Sequence, residues 1–220
     1  MGTTRSFYCV QNNGFTAEDL QEKMKVLLQM TKDNGMHFLQ DFIPADLLKR
    51  VIEITQAAAA DYISAGGTRQ EKRTVIGFQP SLKWLPFFNE FLCEGFTASS
   101  RDAKRLSKVF GSPVLAFAIF DSDILFVSYC DASKNITYDY AKPNSEGMDE
   151  YDTDLYADEF PEFLLELCPS DSHNNLREIW TFPEEVFADD RMVKICELLS
   201  FVLIYSSNDL PDGYQPIYCE

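Results

Sequence analysis

The chain has 220 residues, 45% of them hydrophobic and 14% aromatic, with a formal net charge of −16. That apolar and aromatic content suffices for a packed core and excludes global disorder. No apolar run approaches the roughly 18–20 residues that a membrane span requires, and the first dozen residues are too poor in apolar side chains for a signal peptide.

Residues 5–10 read as a short strand, followed by a turn at Asn12-Asn13-Gly14. Thr16 reads as a helix N-cap with Glu18 and Asp19 in the first turn; Leu20, Met24, Leu27, Leu28 and Thr31 follow at helical spacing to a stop at Asn34-Gly35. A second helix is predicted from Ile43-Pro44-Ala45-Asp46 to Gly66-Gly67, with Leu47, Leu48, Val51, Ile52 and Tyr62 on its apolar stripe. Thr74 to Phe78 suggests a short strand. Leu82 to Phe96 carries Trp84, Phe87, Phe88, Phe91 and Phe96 and is predicted to be helical after Pro86. Its aromatics read as core, with the lining of a ligand pocket as the alternative. Ser100 to Phe110 predicts a helix with Leu106, Val109 and Phe110 inward, stopped by Gly111.

The next stretch, residues 113–140, organises the chain. Val114 to Phe120 is an unbroken apolar run and Ile124 to Cys130 is nearly another, both rich in the β-branched and aromatic residues that suit a pleated surface. Asp121-Ser122-Asp123 supplies the turn between them. A second turn at Asp131 to Asn135 precedes a third strand, Ile136 to Tyr140. This predicts an antiparallel three-stranded meander whose first two strands lie near the middle of a sheet. Beyond it, residues 141–159 read as an exposed acidic loop, Phe160 to Cys168 as a short helix and Asp171 to Asn175 as a turn. Arg191 to Tyr205 is apolar almost all round, so it is either a buried helix or a helix running into a strand at 201–205. Residues 208–220 form a tail containing proline and tyrosine. Helices, then a meander, then helices indicate one α+β domain over residues 1–220, its antiparallel sheet packed against several helices.

The charge is uneven. Residues 131–190 hold 17 acidic residues against Lys134, Lys142 and Arg177, a net of −14. Such a region repels nucleic-acid phosphates and attracts a basic protein surface, so the expected partner is a basic protein, with no nucleic acid and no membrane. The six cysteines, Cys9, Cys93, Cys130, Cys168, Cys196 and Cys219, contain no C-x-x-C pair and point to free thiols in a cytosolic protein without zinc. Cys130 and Cys196 fall on apolar stretches and read as core.

Asp121 and Asp123 are the candidate catalytic pair, since close carboxylates shift each other's pKa as acid–base chemistry requires. The plainer reading is a polar turn. Asp152-x-Asp154 begins like a calcium loop, but Tyr156, Ala157 and Phe163 stand where such a loop needs an oxygen ligand, glycine and glutamate. His37 and His173 lie far apart, and the chain has no nucleophile elbow, P-loop or G-x-G-x-x-G; no cofactor is expected. The acidic loop instead suggests a protein-binding surface in which Asp149, Glu150, Asp152, Asp154, Asp158 and Glu159 supply the field, and Tyr151 and Tyr156 the contact area.

The segment Ser107-Lys108-Val109-Phe110-Gly111-Ser112-Pro113 continues through the strand to Asp121-Ser122-Asp123 and, over about residues 107–140, resembles uncharacterised bacterial cytosolic proteins of the toxin-immunity type. The resemblance implies a binding protein and carries no catalytic residues. The expected function is a non-catalytic cytosolic protein-binding domain, in that family an immunity protein that neutralises a toxin by occluding a basic surface. The alternatives are a hydrolase or lyase using Asp121 and Asp123, and a structural subunit.

Overall fold

Among the described residues, seven antiparallel strands form one sheet in the order β6-β5-β4-β1-β3-β2-β7. The computed structural model describes residues 5–27, 29, 74–89, 96–143, 159–181, 187–205 and 209–218. The predicted helix over 43–67 and residues 144–158 of the acidic loop lie outside them; residues 141–143, expected to open that loop, instead continue β6, with Ala141 buried. The strands are β1 (Arg5–Gln11), β2 (Thr74–Phe78), β3 (Trp84–Asn89), β4 (Val114–Phe120), β5 (Ile124–Asp131), β6 (Ile136–Pro143) and β7 (Gln215–Tyr218). Residues 17–27 form helix α1; α2 is Phe96–Phe110, α3 His173–Thr181 and α4 Ala188–Leu198. A 3₁₀ helix spans Glu162–Leu167. The fold is α+β, with the meander β4-β5-β6 making one side of the sheet.

Helices cover both faces, which explains the unbroken apolar run of β4. On one face Phe7, Leu115, Phe117 and Val127 pack under the 3₁₀ helix, α3 and α4 through Leu164, Leu176, Trp180 and Ile195. On the other, Tyr8, Val10, Leu85, Phe87 and Ala116 pack under α1 and α2 through Leu20, Met24, Leu106 and Phe110. With both faces buried, neither set of alternate residues needs to be polar. Each large side chain buried this way contributes about 1.5–3 kcal/mol.

Local chemistry sets the element ends. Thr16 Oγ1 accepts from the Asp19 N–H at 3.1 Å, and Asp19 Oδ2 accepts from the Thr16 N–H at 3.0 Å, a reciprocal cap on α1. Gly111, at φ +62°, ends α2. In the β4–β5 turn Asp121 and Ser122 stand at φ +50° and +62°, and the Asp123 N–H reaches the Phe120 carbonyl at 3.0 Å. That left-handed turn matches the twist of its strands.

Four further expectations are corrected. Trp84–Asn89 is a strand, so the chain is not helical directly after Pro86 as expected. Its alternation decides this: Trp84 enters one core, Leu85 and Phe87 the other. Pro86 is accommodated because the β2–β3 register runs from Thr74–Asn89 to Ile76–Phe87 and stops before Pro86 would have to donate to β2. The expected turn at 171–175 instead holds the start of α3, anchored by Leu176 and Trp180 one turn apart. Residues 201–204 have neither helical nor strand geometry. The helix ends at Leu198, where Phe201 N–H bonds to Cys196 O at 2.8 Å and Ser200 N–H to Glu197 O at 3.1 Å, with Ser200 at φ +55°. This pair of bonds closes a helix through a left-handed residue. The tail contributes β7, paired with β2 from Val75–Tyr218 to Phe78–Gln215. Gly77 lies opposite Pro216 there, and a Cβ at Gly77 would collide with Leu210 and press Pro86 and Tyr214.

Candidate functional site

Tyr129 of β5 lies opposite Tyr138 of β6, and Val127 opposite Tyr140. Residues two apart share a face, so Tyr129, Tyr138 and Tyr140 stand together at the β6 edge of the sheet. The 3₁₀ helix lays Phe163 against all three, with ring centroids 5.2 Å from Tyr129, 5.7 Å from Tyr138 and 5.9 Å from Tyr140. Tyr138 stacks on Phe163 at 16° and on Tyr129 at 26°, yet is 42% exposed. The result is an aromatic platform with one open ring.

Its surround is acidic. Glu159, Glu162 and Glu166 are all exposed. Burial pushes the Tyr140 phenol above its ordinary pKa, and the Glu159 and Glu162 carboxylates push it further. Tyr129 is raised by burial and then by Asp131 and Glu166, against the opposing pull of Lys134. Arg177 clasps the 3₁₀ helix to α3: its Nη1 and Nη2 donate to Glu162 Oε1 and Oε2 at 2.8 and 2.6 Å, while its guanidinium lies 4.7 Å over the Phe160 ring. Phe160 in turn meets Trp180 edge-on at 6.2 Å.

Of the residues expected to bind a partner, Glu159 stands exposed at the foot of this platform. Asp149, Glu150, Tyr151, Asp152, Asp154, Tyr156 and Asp158 lie outside the described residues. Asp121 is exposed and Asp123 half-buried, on a turn whose Ser122 carbonyl accepts the Ala188 N–H at 3.1 Å. The turn tip is thereby fixed to the start of α4. His173 opens α3, and His37 lies outside the described residues. Cys9, Cys130, Cys168 and Cys196 are free thiols. Burial raises Cys9 to about 12 and Cys130 to about 11, which keeps both protonated and unreactive in the core. Among the described residues no helix is long and apolar enough to cross a membrane.

Three buried charges escaped the sequence reading. Arg191 is packed beneath α3 and donates from Nε to the Ile179 carbonyl at 3.2 Å. Asp131 is buried at the β5–β6 turn, where its Oδ1 accepts from the Ser133 hydroxyl at 2.6 Å and its Oδ2 meets Lys134 Nζ at 3.1 Å. Burial would raise its pKa, but the bonds from Ser133 and Lys134 outweigh burial and hold the carboxyl below its usual range. Asp102 of α2 is 1% exposed and lacks a hydrogen-bond partner, with Arg101 Nε 3.6 Å and Arg105 Nη1 3.7 Å from Oδ1. Burial raises its pKa despite the two arginines. The one sequence signal for the platform was the alternation Tyr138-x-Tyr140. No known protein family matches the chain, and neither does any curated protein or solved structure.

Proposed function

We propose that the chain is a non-catalytic protein-binding domain that covers a basic surface of its partner with the platform of Tyr129, Tyr138, Tyr140 and Phe163. The observation that carries this reading is Tyr138, stacked on two rings yet open to solvent within a rim of carboxylates. A ring held rigid in this way offers contact area with little further loss of side-chain freedom, and buried aromatics dominate interface energies. The rim steers and orients a basic partner more than it adds affinity. The acidic segment departs immediately after Pro143 of β6 and returns at Glu159 beside Tyr140, so its six carboxylates between those points, Glu146 to Asp158, are tethered at both ends to the platform. Read with the local resemblance of residues 107–140, the domain is an immunity protein in a bacterial cytoplasm that silences a toxin by occluding its basic site.

The test is binding kinetics against the protein partner isolated with the full chain. Neutralising Asp149, Glu150, Asp152 and Asp154 together slows association, most at low salt, whereas Tyr138→Ala speeds dissociation. Unchanged kinetics in both variants would remove the surface from consideration, and loss of binding in an Asp121→Asn/Asp123→Asn variant alone would move the site to the β4–β5 turn.

A further inference from the structure

We propose that the partner is engaged by strand addition: an extended basic segment pairs with the open edge of β6. This rests on the binding reading above. Among the described residues β6 has β5 on one side and ends the sheet. It is eight residues long and pairs with β5 at every position from Ile136–Asp131 to Pro143–Ile124, without a bulge. Sheet edges are normally blunted by short strands, bulges, charges or proline. The opposite edge among the described residues is blunted within its four residues by Pro216, whereas the charge and proline of β6, Lys142 and Pro143, stand at its end and leave Ile136 to Ala141 open.

The parity of the ladder identifies the groups that face outward. Pro143 has no N–H, so its pair with Ile124 is one that exchanges no hydrogen bonds. Alternation then makes Lys142, Tyr140, Tyr138 and Ile136 the residues bonded to β5. The closing turn agrees, with Lys134 N–H to Asp131 O at 3.3 Å and Asn135 at φ +54° delivering Ile136 to its partner Asp131. The N–H and C=O groups of Thr137, Asp139 and Ala141 therefore point away from β5, spaced to receive an added strand.

Side chains on one face of such a strand would lie beside Tyr138 and Tyr140, where arginine or lysine gains ring contacts and the exposed Glu159 carboxylate. On the other face are Thr137, which is exposed, and Asp139, which is half-buried with its Oδ1 covered. Charge decides against a second copy of this chain as the occupant, because pairing two β6 edges would bring two acidic rims together. An extended basic segment satisfies the tyrosine face and the edge.

The probe is a blocked ten-residue peptide of alternating arginine and valine, added to the full chain while backbone amide exchange is followed by NMR. Binding should slow exchange at Thr137, Asp139 and Ala141, the alternate residues that face outward, with Tyr138 and Tyr140 already slow in the free protein. Thr137→Pro, which removes one outward donor and no backbone bond to β5, should weaken the peptide at least tenfold relative to Thr137→Ala, the control for the lost Thr137–Cys130 side-chain bond; Asp139→Asn separates the carboxylate from the backbone. Binding that shifts Tyr138 without protecting those three amides would overturn strand addition and leave the platform standing. No binding by the wild type, or dimerisation through β6 that Thr137→Pro abolishes, would also overturn it.

Discussion

The platform stands or falls on the stacking of Tyr138 and Phe163, and a double-mutant cycle measures it. Phe163 meets three tyrosine rings at 5.2–5.9 Å. Such pairs contribute about 0.5–1.5 kcal/mol beyond area burial. A fully buried Phe→Ala costs about 3–5 kcal/mol; Phe163 is half-buried, so Phe163→Ala should cost about 2–3 kcal/mol. For a chain of 220 residues that lowers Tm by about 5–10 °C. Tyr138→Ala removes two stacked contacts from a ring 42% exposed and should cost about 1–2 kcal/mol. The double variant should be less destabilised than the sum by about 0.5–1.5 kcal/mol, the interaction of the pair. Urea unfolding reads all four proteins, with unchanged m-values confirming that native and unfolded states are comparable. Additivity within about 0.3 kcal/mol would mean that the two rings do not interact and that no preformed platform exists.

Asp102→Asn tests the buried carboxylate faced by Arg101 and Arg105. The folded-state pKa of Asp102 is raised, so its contribution to stability is present below the ordinary value of 3.8 and lost as pH rises through the folded value. The variant should therefore be more stable than wild type at pH 7, by about 1 kcal/mol, with the gap closing as denaturation is repeated down to pH 3. A constant gap would deny the titration. Ser200→Gly relieves a left-handed serine at φ +55° in the cap of α4 and should stabilise by about 0.5–1 kcal/mol in thermal unfolding; a loss would mean that the Ser200 side chain has a role that its backbone geometry does not explain.

Much of the sheet was legible because its signals are local. Val114 to Phe120 reads as a strand near the middle of a sheet, Gly111 as a helix stop and Thr16 as a cap, and each occupies that role. Leu82 to Phe96 misled because its aromatics suit helical spacing as well as alternation; only its place between β1 and β2 makes the period two decisive. The charge imbalance of residues 131–190 was plain, but not what it surrounds. Tyr129 and Tyr138 belong to adjacent strands, while Phe163 returns from beyond the acidic segment, and no sequence spacing predicts that convergence. Asp102 was equally opaque, since a lone aspartate between basic residues on a helix reads as solvent-facing until the packing around it is known.

Hydrogen exchange by mass spectrometry on the full chain, alone and in complex with its isolated protein partner, locates the binding surface directly. Protection gained on binding should concentrate in residues 136–143 of β6 and 159–167 around Phe163. Protection confined to the β7 edge or to the outer face of α2, with β6 and the 3₁₀ helix exchanging as in the free chain, would rule that surface out.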